Sequence, residues 1–122
     1  MTKQKGATLS FSSKQKLFKQ YVELLQPLLK LTSNEVSVFA QLLFLNDEKK
    51  NIPDKDRFNL IFSTSSRKDM AKDLGLSNQV LQNCFSKLRK KGLIVNNTIP
   101  EKGQVFLDSS SLLLIFKLKL NV

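Results

Sequence analysis

From Ser77 to Lys91 the chain reads SNQVLQNCFSKLRKK, and its polar side chains change type partway along. Asn78, Gln79, Gln82 and Asn83 are primary amides, each offering donors and acceptors from one flat group. Ser86 adds a hydroxyl, and Lys87, Arg89, Lys90 and Lys91 then add positive charge. Exposed helix positions are more often Glu and Lys, which form helix more readily and pair across a turn. The chemistry this pattern supports is recognition: amides for the polar edges of planar groups, then cations for anions. An ordinary solvated face, with the closing cations complementing the helix dipole, accounts for the same residues without a ligand.

Catalysis lacks its usual parts. The chain has no His and one Cys, Cys84, so zinc sites, Cys-His pairs and Ser-His-Asp triads cannot be assembled. Four glycines (Gly6, Gly75, Gly92 and Gly103) are too scattered for a phosphate-cradling loop. No enzyme activity, metal, cofactor or small-molecule ligand is expected. Cys84 reads as a small buried apolar residue, and a lone Cys suits a reducing cytoplasm. Twenty Lys and Arg against ten Asp and Glu give a formal charge of +10. That balance favours polyanions, nucleic acid before an anionic membrane surface. No apolar run approaches the roughly 20 residues of a membrane span, and "MTKQKGATLSFSSKQK" lacks the apolar core of a secretion signal.

The elements that must carry these residues fit one domain of 122 residues. Residues 1–13 read as a basic flexible arm with Lys3 and Lys5, and residues 14–122 as a single domain. An amphipathic helix is expected from Lys14 to Leu29, with Pro27 ending or kinking it near Gln26. Its two apolar rows, Leu17, Tyr21, Leu24, Leu28 and Phe18, Val22, Leu25, Leu29, make a face wider than one neighbour covers. "LTSNEVSVFAQLLFLND" opens with a capping box, Thr32 with Glu35, and reads as a buried central helix. "NDEKKNIPDKD" reads as a mixed-charge loop, and residues 58–65, "FNLIFSTS", as a short strand. A helix is expected to begin after Ser66 with Asp69 as capping partner and to stop at Gly75. Ser77 caps the next, which ends at Gly92. Beyond it, "LIVNN", a turn at "TIPEKG" and "QVFLD" read as two strands, followed by a strand-like "SSSLLLIFKLKLNV".

On a helical wheel, Cys84, Phe85 and Leu88 fall within about 60° of Leu81. Gln79, Asn83, Ser86 and Lys90 fall within about 40° of the opposite pole, with Gln82 on the flank.

Two helices around a Gly-containing turn, followed by a hairpin, resemble the winged helix-turn-helix DNA-binding proteins, broadly MarR-type regulators and plasmid or phage replication-initiator domains. The resemblance spans about residues 30–107. It rests on "MAKDLGLSNQVLQNCFSKLRKKGLI", with Ala71, Leu74, Gly75, Ser77, Leu81, Phe85 and Leu88 in pattern. "LKLTSNEVSVFAQLL" is similar to the helix preceding the unit, and "GQVFLDSSSLLLIFK" loosely to the wing and the segment after it.

The resemblance implies a mainly α fold with a small antiparallel β wing (α+β), the helix-turn-helix at about 66–91 and the wing at about 93–107. It also implies sequence-specific binding of double-stranded DNA, in transcriptional regulation or replication, in a bacterial or phage-infected cell. Asn78, Gln79, Gln82, Asn83 and Ser86 would then face bases. Arg67, Lys68, Ser77, Lys87, Arg89, Lys90 and Lys102 would face phosphates. Where such proteins frequently carry arginine on this face, this chain has Asn83. Winged helices also serve as protein-interaction modules, so a structural component of a phage or mobile-element assembly is the alternative. A homodimer through residues 17–29 and 112–120 is the further candidate partnership.

Overall fold

A computed structural model describes residues 14–104. Six helices follow one another: α1 (Lys14–Leu24), α2 (Gln26–Leu29), α3 (Ser33–Glu48), α4 (Asp54–Ile61), α5 (Thr64–Leu74) and α6 (Asn78–Lys90). A single turn of 3-10 helix, Glu101–Gly103, comes after them. The basic arm at 1–13 and the dimer segment at 112–120 lie outside the described residues.

α3 is the hub, packing against α1, α4, α5 and α6. Its sequence explains why. Val36, Val38, Phe39, Ala40, Leu42 and Leu43 leave little of the helix circumference polar, so neighbours are needed on several sides. Phe18 and Val22 of α1, Phe58 and Ile61 of α4, Met70 and Ala71 of α5, and Leu81, Phe85 and Leu88 of α6 are all buried with it. Each of these side chains other than Ala71 stabilises the fold by roughly 1.5–3 kcal/mol relative to exposure. Edge-to-face ring contacts, Phe18 on Phe44 and Phe62 on Phe85 at 5.8 Å between centroids, fix how the layers meet.

The local signals at the helix ends act as expected in several places. The capping box forms: Thr32 Oγ1 accepts from the Glu35 N–H at 3.2 Å, and the Thr32 N–H donates to the Glu35 carboxylate at 3.1 Å. Pro27 breaks the first helical stretch, so α1 ends at Leu24 and the short α2 begins at Gln26. The Gln26 side chain then clamps Leu31, accepting from its N–H at 2.9 Å and donating to its carbonyl at 2.7 Å. That clamp directs the chain from α2 into α3.

The expected α+β class is overturned: among the described residues there are six helices and no strand. Two segments account for the difference. Residues 58–65 are not a strand, because Phe58, Ile61 and Phe62 are buried at helical spacing while Leu60 is exposed. Pro53 at the N-cap and Asp54 and Asp56 in the first turn start α4. The helix after it consequently begins earlier than expected. Ser63, not Ser66, is its N-cap, and the Ser63 hydroxyl oxygen accepts from the Ser66 N–H at 3.1 Å.

The wing is the second correction. Asn96 and Asn97 both have positive φ, as a two-residue hairpin turn requires, and Val95 and Thr98 exchange backbone hydrogen bonds of 2.9 and 3.0 Å. Pairing stops at that single bridge. Ile94 and Ile99, next along a ladder, are both buried, and the Ile99 carbonyl accepts from the Gln104 side chain at 2.8 Å instead. Pro100 has no N–H to extend the pairing, and the chain turns into the 3-10 helix. Residues 105–107 of the expected wing lie outside the described residues.

The segment expected as a mixed-charge loop is corrected as well. Asn46 and Asp47 are buried within α3, and only residues 49–53 separate α3 from α4.

Candidate nucleic-acid interface

α5, the turn Gly75–Ser77 and α6 form two packed helices joined by three residues. Gly75 takes the left-handed conformation (φ 68°), with its N–H bonded to Lys72 and the Leu76 N–H bonded to Ala71. The Ser77 hydroxyl oxygen accepts from the Val80 N–H at 3.1 Å and starts α6. Gly92 (φ 78°) ends α6 in the same way, with Gly92 bonded to Arg89 and Leu93 to Leu88. Both ends of α6 are thus fixed by local bonds.

The inner face of α6 is Leu81, Cys84, Phe85 and Leu88, all buried against the core. Cys84 is a buried free thiol, and burial, then the charge of Glu35, push its pKa up. All of Asn78, Gln79, Gln82, Asn83, Ser86, Lys87, Arg89 and Lys90 are exposed. Gln79, Asn83, Ser86 and Lys90 follow one line along the helix at steps of four, three and four residues. Along it the Gln79 amide donates to Asn83 Oδ1 at 3.1 Å.

The cations differ in how they are held. Arg89 lies over the Phe85 ring at 5.9 Å, on the flank of the helix. Lys91 donates to the Leu29 carbonyl at 3.2 Å, tying the end of α6 to α2. None of Lys87, Arg89, Lys90 and Lys102 has a carboxylate at ion-pair distance among the described residues. A signal for this stands in the sequence itself: between Asp73 and Glu101 there is no Asp or Glu. Along α6 itself the cations therefore have no carboxylate of their own segment to offset them.

Other expected residues are arranged differently. Arg67 is half-buried and Lys68 exposed, but with α5 starting at Thr64 they stand in its second turn. The unpaired N–H groups of that helix end belong to earlier residues. Lys102 rides on the 3-10 turn, not on a wing, and Gln104 fastens that turn toward α3 and α4. It is not part of the α6 stripe.

Sequence reasoning also missed a buried polar cluster. Arg57, 3% exposed, donates to Asn46 Oδ1, the Ile52 carbonyl and Asp54 Oδ1, each at 2.7 Å. Its guanidinium also stacks over Phe58 at 4.9 Å. Gln104 Oε1 lies 3.4 Å from the Asn46 amide and 3.5 Å from Arg57 Nη2. Every nitrogen of this guanidinium is engaged within the fold, so the cluster is a brace between α3, α4 and the last described turn.

Among the described residues no group of three or more His, Cys, Asp and Glu could hold a metal ion, and no helix is long and apolar enough to cross a membrane. The chain matches no family model, and neither a curated protein nor a solved structure matches it.

Proposed function

We propose that the protein binds double-stranded DNA sequence-specifically by laying α6 in the major groove. The N-terminal half of the helix meets bases and its C-terminal half meets phosphates. The observation that carries this reading is the division of one exposed helix face into neutral amides followed by cations with no carboxylate at ion-pair distance among the described residues. Neutral side chains let a helix sit deep in the groove without the repulsion that carboxylates would bring. The role is that of a transcriptional regulator or replication-associated factor in the cytoplasm, with no catalysis and no cofactor.

Salt tests it. With about six phosphate contacts, duplex affinity should fall by roughly 10³ between 50 and 200 mM salt. A flat response, or no binding at low salt, overturns the reading. Lys90→Ala should weaken all duplexes alike and reduce the salt slope by about one.

A second reading is favoured by Leu24 at the end of α1 and Leu28 in α2, exposed to 54% and 59%. A protein-interaction or structural module would use that patch, with a second copy of the chain as one candidate partner. A stable, salt-resistant oligomer indifferent to DNA would favour it.

A further inference from the structure

The hydrogen bond between Gln79 and Asn83 joins the two amides that straddle the outer pole of α6. It uses one amide hydrogen of Gln79 and one lone pair of Asn83. The Gln79 oxygen, both Asn83 N–H groups and the second Gln79 N–H remain, so the pair presents an acceptor on Gln79 beside donors on Asn83. Turning both amides over exchanges the two roles and still leaves a free amide oxygen on one residue beside free N–H groups on the other.

Adenine is the base edge in the major groove that uses a donor and an acceptor of the pair at once. Adenine offers N7 as acceptor and N6–H as donor. Guanine offers N7 and O6, both acceptors, which engage N–H groups only and leave the Gln79 oxygen without a partner. Thymine and cytosine each satisfy one member only. A pair ordered before contact also loses less side-chain freedom on binding than two independent long side chains.

We infer that Gln79 and Asn83 act as one reading element for adenine, so that the A·T pair beneath the N-terminal half of α6 is the position most strongly discriminated. This rests on the proposed docking of α6 in the major groove. Because each amide holds the other in place, removing either removes the element.

The test is a double-mutant cycle on the full chain, with a duplex selected by the wild type from a random pool and a scrambled duplex as reference. Gln79→Ala and Asn83→Ala should each lower affinity for the selected duplex roughly 10- to 100-fold, leaving the scrambled one unchanged. The double variant should lose no more than either single. Replacing the contacted adenine with 7-deazaadenine should weaken the wild type and leave the two variants unaffected. Losses that multiply in the double variant, or a selected site with guanine at that position, overturn the paired element while leaving DNA binding intact. Failure of the wild type to bind any duplex overturns the docking and this inference together. Circular dichroism of each variant checks that α6 is still formed.

Discussion

Asn46 and Gln104 carry their amides where α3, α4 and the last described turn meet, while Gln79 and Asn83 carry theirs on the outer face of α6. In the first region Arg57 fills the space between the amides, and its donors are matched by oxygens fixed on three segments. In the second, the amides have each other and solvent. Low dielectric makes the interior set costly to break, because a lost partner leaves a charged or polar group without water. On α6, water replaces whatever is removed. The same functional group is therefore structural in one place and available for recognition in the other, and accessibility alone makes the difference.

The contrast is open to attack from both sides. Arg57→Ala should cost about 3–5 kcal/mol in chemical denaturation, since it strands the Asn46 and Ile52 oxygens. Asp54→Ala should cost under about 1 kcal/mol, because its side chain is 77% exposed and the ion pair is largely screened. Losses under about 1 kcal/mol from both would mean that the cluster is an ordinary surface pair. Gln104→Ala should cost about 1–2 kcal/mol and raise amide exchange around Ile99, whose carbonyl loses its partner.

The inner face of α6 responds to pH. Cys84 and Tyr21 both have pKa values raised by burial. Below its ordinary value the thiol is neutral in both folded and unfolded chains, and its contribution is fully present. As pH rises past that value the unfolded chain ionises first, so stability falls until the folded value is passed. Denaturation midpoints at pH 7 and 9.5 should differ less in Cys84→Ala than in the wild type. The smallest effect is reserved for the outer face. Gln79→Ala should change stability by only about 0.2–0.5 kcal/mol, the worth of an exposed pair across one turn. A loss above about 1 kcal/mol would make that amide pair a fold element after all.

From Gly75 to Gly92 the chain was most legible because its signals are local. Ser77, Gly75 and Gly92 act within a few residues of themselves, and the buried side of α6 follows from period alone. The capping box at Thr32 was readable for the same reason. What failed depended on distant partners. "FNLIFSTS" contains both an alternating and a helical apolar pattern, and contact of Phe62 with Phe85 favours the helical one. The turn expected at "TIPEKG" forms earlier, at Asn96–Asn97 inside the expected strand "LIVNN", and pairing beyond Val95 and Thr98 gives way to Gln104 reaching back to Ile99. Arg57 reads as one more surface cation until Asn46, eleven residues earlier, and Gln104, far later, close around it. The candidate face was legible as a pattern of amides and cations, while the link between Gln79 and Asn83 required coordinates.

Because α6 is closed by its own caps and held by four buried residues, its outer positions are nearly independent of folding. A lineage carrying this domain could exchange Gln79, Gln82, Asn83 and Ser86 in many combinations while the core stayed as it is. The protein is in that sense a socket with a replaceable face. Under the proposed DNA reading, changes of target would be cheap in stability, and drift along this stripe between related chains would alter preference sooner than it lost the fold.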